Sequence, residues 1–246
     1  MPTPEAVPID ILYEDDDLMA VNKAAGMVVH PTYRNVTGTL LNGILWHFRD
    51  RPAIKPGLIS RLDKDTSGLV LVALSEGAHA HIQRDAHAGR VRKRYLAVVR
   101  GVPAPPDGAI TLPLRRDPAD RRRVITDVSG QPCETRYRVV SHTTTYSLVE
   151  CELVTGRTHQ IRVHLSASGW PIVGDATYSS SGATDIIMSR QALHAWEITL
   201  THPVSRVPLS IKAPLSRDFL RLCMETRLSC HQFVSPAEVD SATSNP

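Results

Sequence analysis

Residues 60–68 read Ser-Arg-Leu-Asp-Lys-Asp-Thr-Ser-Gly and run directly into an apolar stretch, Leu69-Val70-Leu71-Val72-Ala73-Leu74. Two carboxylates, an arginine and several hydroxyls therefore crowd into a loop that feeds a buried strand, the place where a rigid scaffold presents reactive groups. A carboxylate so placed can act as a nucleophile or as a base. The same residues also suit a polar turn in which Asp63 and Asp65 accept backbone N–H groups. Taken alone, the loop leaves both readings open. A hydrolase attacking a glycosidic bond would need a second carboxylate flanking that bond. Glu76 and Glu197 are the candidates, and neither sits in a comparable loop.

Other segments decide between these readings. The stretch Arg61-Leu62-Asp63 followed by Thr66-Ser67-Gly68 resembles the Arg-Leu-Asp-x-x-Thr-Ser-Gly signature of the RluA-type RNA pseudouridine synthases. Two further segments resemble that family in the expected order: Lys93-Arg94-Tyr95-Leu96-Ala97-Val98-Val99-Arg100-Gly101 and Thr155-Gly156-Arg157-Thr158-His159-Gln160-Ile161-Arg162-Val163-His164. Fainter echoes follow at Gly169-Trp170-Pro171-Ile172-Val173-Gly174-Asp175 and Leu193-His194-Ala195. Together they cover about residues 10–215, and three segments in order make a strong signal.

The resemblance implies conversion of uridine to pseudouridine in RNA, with no cofactor and no metal. Asp63 is then the catalytic carboxylate, which either attacks C1′ or removes the C2′ proton. Tyr95 stacks on the base or takes the C5 proton. As a base it needs a neighbouring positive charge, because an ordinary phenol titrates near 10. Arg162 keeps a desolvated carboxylate ionised, a task suited to a planar, permanently charged guanidinium. Arg61, Leu62 and Ile161 are expected to touch the substrate. Ile161 would cover one face of the uracil, and Arg61 would fill the space left by a flipped nucleotide or grip a phosphate. One departure is Ser60, where many relatives have histidine before the Arg-Leu-Asp; it bears on RNA positioning rather than on the reacting group.

The 246 residues carry a net charge of only +3, but its distribution is uneven. Arg92, Lys93 and Arg94 cluster beside Tyr95. Arg115, Arg116, Arg121, Arg122 and Arg123 fall within nine residues, with Asp117 and Asp120 among them. Such clusters suit an RNA backbone, and Arg92, Lys93, Arg94, Arg121, Arg122 and Arg123 are taken as RNA-binding candidates. Ribosomal RNA is the expected partner, because His30-Pro31-Thr32 and Gly38-Thr39-Leu40-Leu41-Asn42 resemble the branch acting on the large subunit. Transfer RNA is the alternative, and a non-catalytic RNA-binding protein of the same fold is a second one. The four cysteines show no Cys-x-x-Cys spacing, residues 1–6 lack the basic and apolar regions expected of a secretory signal, and no apolar run reaches the roughly 20 residues a membrane helix needs. A cytoplasmic monomer without membrane contact is expected. His79, Gln83 and His87 share a helical face but no carboxylate completes a ligand set.

The elements that must position these residues follow from periodicity. Strands are expected at 11–13 and 18–23 around the acidic turn 14–17, at 69–74, 95–99, 147–154, 192–200 and 207–211. Helices are expected at about 40–48 behind Thr37 or Thr39, from Ser75 to Gly89, and from a Thr158 N-cap to about Ser168. The Pro-, Gly- and Arg-rich residues 103–132 read as a mobile arm or hairpin. Short connections argue for antiparallel pairing. The fold class is thus α+β, a largely antiparallel mixed central sheet with flanking helices. The family resemblance adds two lobes with a catalytic cleft between them. Residues 1–9 and 232–246 read as disordered ends around one catalytic domain, 10–231, without an additional N-terminal RNA-binding domain.

Overall fold

The computed structural model describes residues 2–33, 35–179 and 188–234. In chain order the elements are β1 (Asp10–Glu14), β2 (Leu18–Lys23), α1 (Leu40–His47), β3 (Gly57–Leu58), β4 (Ser67–Ala73), α2 (Glu76–His87), β5 (Arg92–Arg100), β6 (Asp107–Ile110), β7 (Leu114–Arg116), β8 (Val124–Thr126), β9 (Thr135–His142), β10 (Tyr146–Leu153), α3 (Gln160–Ala167), β11 (Leu193–Thr201), β12 (Pro208–Lys212) and α4 (Arg217–Glu225), with a 3-10 turn at His231–Phe233. The architecture is α+β with a mixed, mostly antiparallel sheet, and the chain divides into two compact units.

The first unit spans Met1–Arg92 and Ala195–Ala213. Its strands run in the order β1-β2-β4-β11, with β3 beside β4 and β12 beside β11. The pairs β1–β2, β2–β4, β3–β4 and β11–β12 are antiparallel. Every residue of β4 is buried, as a strand covered on both faces requires. Met19 and Val21 of β2 and Val70 and Val72 of β4 pack with Leu40, Ile44 and Phe48 of the α1 region. Helix α1 starts at Thr39, whose hydroxyl and backbone N–H exchange bonds with Asn42 in a capping box. Helix α2 is capped by Ser75, which accepts the Ala78 N–H, and ends before Gly89 in the left-handed region, as anticipated.

Residues 2–9, read from composition as a loose end, form no helix or strand but lie along α1. Asn42 Nδ2 donates to the Thr3 carbonyl at 2.7 Å and Glu5 N donates to the Asn42 carbonyl at 3.1 Å. The crossing is close enough that a Cβ on Gly43 would sit 2.8 Å from both Ile9 and Val7 atoms, so only glycine fits there.

The second unit spans Lys93–His194 and Pro214–Pro246. Its strands run β5-β10-β9-β6, with antiparallel pairs throughout. β7 and β8 form a separate hairpin. Of the two readings of residues 103–132, an arm or a hairpin, the structure holds the hairpin, preceded by an additional edge strand. β6 completes the sheet edge, and the base of the hairpin is anchored through Leu114 and Val124, which pack with Cys133 and Val163. Strand β9 and helix α4 were not anticipated from the sequence. Helix α3 begins later than expected: its N-cap is His159 in a left-handed conformation (φ 53°), and the exposed Thr158 makes no cap. Phe233, within the stretch 232–246 read as a polar tail, is buried; residues 235–246 lie outside those described.

Candidate active site

The loop 60–66 is fastened at both ends. Ile59 N donates to the Leu71 carbonyl at 2.9 Å, and Leu71 N donates to the buried Ser60 hydroxyl at 3.0 Å. Ser60 thus ties the loop's first turn to β4. At the far end Thr66 N donates to the Asp63 carbonyl at 3.1 Å. The Lys64 carbonyl accepts two donors, Gly26 N–H and the Lys23 ammonium, each at 2.9 Å. Lys23 is fully buried and also donates to the carbonyls of Ala24 (2.8 Å) and Met27 (2.9 Å), so its three N–H bonds converge on backbone oxygen. Gly68 ends the loop at φ 106°, where a Cβ would lie 2.2 Å from the Ala195 carbonyl oxygen; no other residue permits that approach.

Within this frame Asp63 is half-buried and Arg61 is exposed. Leu62 is half-buried too, and it packs against the core cluster of the first unit. It was expected to touch substrate; its packing also makes it an anchor for the loop.

Tyr95, Ile161 and Arg162 belong to the second unit. Tyr95 is buried on β5 opposite Cys151 of β10. Ile161 and Arg162 are buried in the first turn of α3. Arg162 is gripped in the two-pronged manner typical of guanidinium–carboxylate pairs: Nε donates to Asp175 Oδ2 at 2.7 Å and Nη2 to Oδ1 at 2.9 Å. Asp175 is in turn held by the backbone N–H groups of Thr177 (2.9 Å) and Tyr178 (3.2 Å). The Tyr178 ring lies 5.0 Å from the Arg162 guanidinium carbon, within cation–π range.

A second buried network sets the pitch of α3. Gln160 donates to the Glu134 carbonyl and to Thr135 Oγ1, both at 2.9 Å, and its carbonyl accepts from Thr155 Oγ1 and Arg157 N. Thr135 Oγ1 also bonds His164 Nδ1 at 2.9 Å, while His164 Nε2 meets the Leu112 carbonyl at 2.9 Å. Burial, opposed by that carbonyl, pushes His164 below the ordinary imidazole value. None of Lys23, Gln160, His164, Asp175 or Tyr178 was singled out from the sequence. Asp175 was within reach, since it closes the Gly169–Asp175 echo, as were Gln160 and His164, which lie in the Thr155–His164 segment; Lys23 and Tyr178 carry no local signal.

The basic segments are less uniform than their sequence suggests. Arg92 is exposed, whereas Lys93 is half-buried and desolvation pushes its ammonium down. Arg94 stands 3.8 Å from Glu150. In the hairpin, Arg121, Arg122 and Arg123 are all exposed. Arg122 doubles back on Asp120 with two bonds of 2.9 Å, holding that carboxyl at about 2. Arg115 pairs with Asp127 at 2.7 Å.

Asp15, Asp17 and His202 are close enough together for a metal ion. The side chains of Asp15 and His202 are already engaged. Asp15 accepts from Asp17 N, Leu18 N and the Tyr13 hydroxyl and bonds His202 Nε2, while His202 Nδ1 accepts from Val204 N and Ser205 N. This is a turn lock, consistent with reading 14–17 as a turn. Of the carboxylates weighed for hydrolysis, Glu76 is an exposed α2 residue paired with Lys55, and Glu197 bonds Ser210 between β11 and β12. Among the described residues no helix is long and apolar enough to cross a membrane.

Residues 17–167 match a family described as RNA pseudouridylate synthase. The chain is 41% identical over 238 residues to "Ribosomal large subunit pseudouridine synthase D" of Nitrosomonas europaea, covering 94% of this chain and 69% of that protein. It is 39% identical over 253 residues to the protein of the same name from Neisseria meningitidis, covering 98% and 66%. It is 39% identical over 238 residues to an uncharacterized RNA pseudouridine synthase of Bacillus subtilis, covering 92% and 78%. Among solved structures it superposes on human RNA Pseudouridylate Synthase Domain Containing 1 with a TM-score of 0.73 at 25% identity, covering 100% of this chain and 99% of that one.

Proposed function

The chain belongs to the RluA-type RNA pseudouridine synthases, isomerases that act on RNA, and from that premise we propose that it modifies large-subunit ribosomal RNA, with Asp63, Tyr95 and Arg162 carrying the reaction. The target rests on the relatives from Nitrosomonas and Neisseria, whose names specify the large ribosomal subunit. The site assignment rests on one observation above all: a half-buried carboxylate in a loop pinned by Ser60, Lys23 and Gly26.

The isomerisation breaks the N1–C1′ bond, turns the uracil and joins C5 to C1′, with loss of the C5 proton. On one route Asp63 attacks C1′ as uracil departs and is displaced when C5 attacks. On the other it takes the C2′ proton as the base leaves, and returns it after C5 has added to the glycal. Arg162, preset by Asp175, supplies the fixed positive charge that keeps a desolvated carboxylate ionised. Tyr95 stacks on the free uracil or relays the C5 proton. The target must leave its helix first, at a cost of a few kcal/mol, and Arg61 is the exposed residue of the loop suited to taking its place. Leu62 and Ile161 supply apolar walls. Residues 10–231 act as one catalytic domain, working as a cytoplasmic monomer, with Arg92, Lys93, Arg94 and Arg121 to Arg123 meeting the RNA backbone.

Tritium release from uridine C5 in separate large-subunit ribosomal and transfer RNA transcripts tests this reading. Release from the ribosomal transcript without free uracil is expected. Release from transfer RNA alone replaces the substrate; tight binding without release from either favours an RNA-binding protein of the same fold.

A further inference from the structure

Tyr178 stands where two parts of the second unit meet. Its ring lies under the Arg162 guanidinium at 5.0 Å and is also 5.7 Å from that of Arg123. Its hydroxyl accepts the N–H of Val124 at 2.9 Å and shares a 2.7 Å hydrogen bond with His159 Nδ1. Val124 is the first residue of β8, directly after Arg121-Arg122-Arg123. His159 is the left-handed residue that opens α3, three positions before Arg162. The backbone of Tyr178 is fastened as well: its N–H goes to Asp175 Oδ1, and its carbonyl accepts from Ser166 Oγ of α3 at 2.5 Å. One side chain therefore touches the basic hairpin through its hydroxyl, the helix start through His159, and the guanidinium through its face.

Resting on the assignment of Arg162 above, we propose that Tyr178 is a positioning residue that couples the arginine hairpin Leu114–Thr126 to Arg162, so that RNA held by the hairpin is registered against the arginine that serves the reaction. The division of labour within the side chain is specific. The phenol oxygen fixes the hairpin, because it accepts the Val124 N–H at the start of β8 at 2.9 Å. The ring fixes Arg162, because together with Asp175 it limits the guanidinium on its face and on its Nε–Nη2 edge. The link from a basic surface loop to a buried charge therefore runs through two contacts, Val124 to the hydroxyl and the ring to Arg162, both within one compact unit.

The two functions separate by substitution. Tyr178→Phe removes the hydroxyl and keeps the ring. RNA affinity should fall about fivefold, and amide hydrogen exchange at Val124 should speed by about tenfold, as loss of one hydrogen bond predicts. The single-turnover rate at saturating RNA should stay within about twofold of wild type, because the cation–π contact survives. Tyr178→Leu removes both, and its saturating rate should fall by about tenfold or more. Combining Tyr178→Phe with Arg121→Ala, Arg122→Ala and Arg123→Ala should weaken binding by less than the product of the separate effects, because the two changes interrupt one link.

Wild-type exchange and affinity in Tyr178→Phe, or full additivity with the arginine substitutions, overturns the hairpin half of the coupling. A wild-type saturating rate in folded Tyr178→Leu overturns the Arg162 half. If Tyr178→Leu does not fold, Tyr178→Phe and the combined variant still decide the hairpin half, and Tyr178→Met, which removes the ring but fills more of its volume, takes the place of Tyr178→Leu for the Arg162 half. If the wild-type protein releases no tritium, the enzymatic reading fails separately, and exchange and affinity still determine whether Tyr178 holds the hairpin.

Discussion

The Asp63 loop and the Arg162 helix are held in place by opposite means. Around Asp63 the anchors act on backbone: Lys23, Gly26, Ser60 and Leu71 all bond main-chain atoms or engage through them, and the carboxylate itself stays half-buried. Around Arg162 the anchors act on side chains. Asp175 and Tyr178 grip the guanidinium, while Gln160, Thr135 and His164 form a buried polar network behind the helix. A backbone-anchored loop tolerates changes to its reactive side chain without losing shape. A side-chain network that is buried and fully connected does not, because each removed partner strands another polar group. The first region should therefore separate activity from stability, and the second should lose both together.

The largest expected effect lies in the first region. Asp63→Asn should lower single-turnover C5-tritium release by at least about 10³-fold, the scale of losing a catalytic proton or nucleophile function, while unfolding free energy changes by no more than about 1 kcal/mol, because the loop's backbone anchors stay in place. Asp175→Asn should break the pattern in the other direction. It should cost about 3 kcal/mol in denaturant unfolding, since it leaves a buried guanidinium half-paired, and it should slow the reaction by up to about 100-fold through misplacement of Arg162.

Lys23→Met sharpens the comparison inside the first region. Three carbonyls lose a charged donor, and a cost of about 2 kcal/mol is expected in the same unfolding measurement. Hydrogen exchange should also rise around Gly26 and Thr66. A loop that keeps its exchange pattern without Lys23 would show that Ser60 and Gly26 suffice.

The smallest effect is a pH dependence in the second region. Burial depresses the folded pKa of His164 below its ordinary 6.5. The unfolded chain then binds the proton first as pH falls, so stability present above about 6.5 is progressively lost below it, down to the depressed folded value. Melting temperature should drop between pH 7 and pH 5, and His164→Gln should flatten that slope. Asp218, held at about 2 by Arg190 and Ser216 against the opposing effect of burial, acts in a separate window, between its ordinary 3.8 and about 2.

The same contrast explains what was legible in the sequence. Asp63 and its neighbours stand in one contiguous signature, with the strand that carries them announced by six apolar residues in a row. The strands β1, β2, β4 and β10 and the helices α1 and α2 followed from periodicity and caps. Helix α4 had a readable stripe, Phe219, Leu222 and Cys223, that went unused. Strand β9, Thr135–His142, was hidden because polar residues fill its half-exposed face. The N-cap was misread because Thr158 has the right side chain, while the bend falls on His159; histidine is among the types enriched in the left-handed region, but that preference is too weak to place a helix start. Asp175 lies 13 residues from Arg162, Tyr178 is 54 from Val124, and Thr135 is 29 from His164. Partners at such separations leave no local pattern.

The most direct test is a single-turnover reaction of wild type and Asp63→Asn with large-subunit ribosomal RNA tritiated at uridine C5, followed by nucleoside digestion. The account predicts one tritium released and one pseudouridine formed per modified site by wild type, no free uracil, and neither product from Asp63→Asn although it binds the RNA equally well. Release by Asp63→Asn within tenfold of wild type, or free uracil in place of pseudouridine, would contradict it.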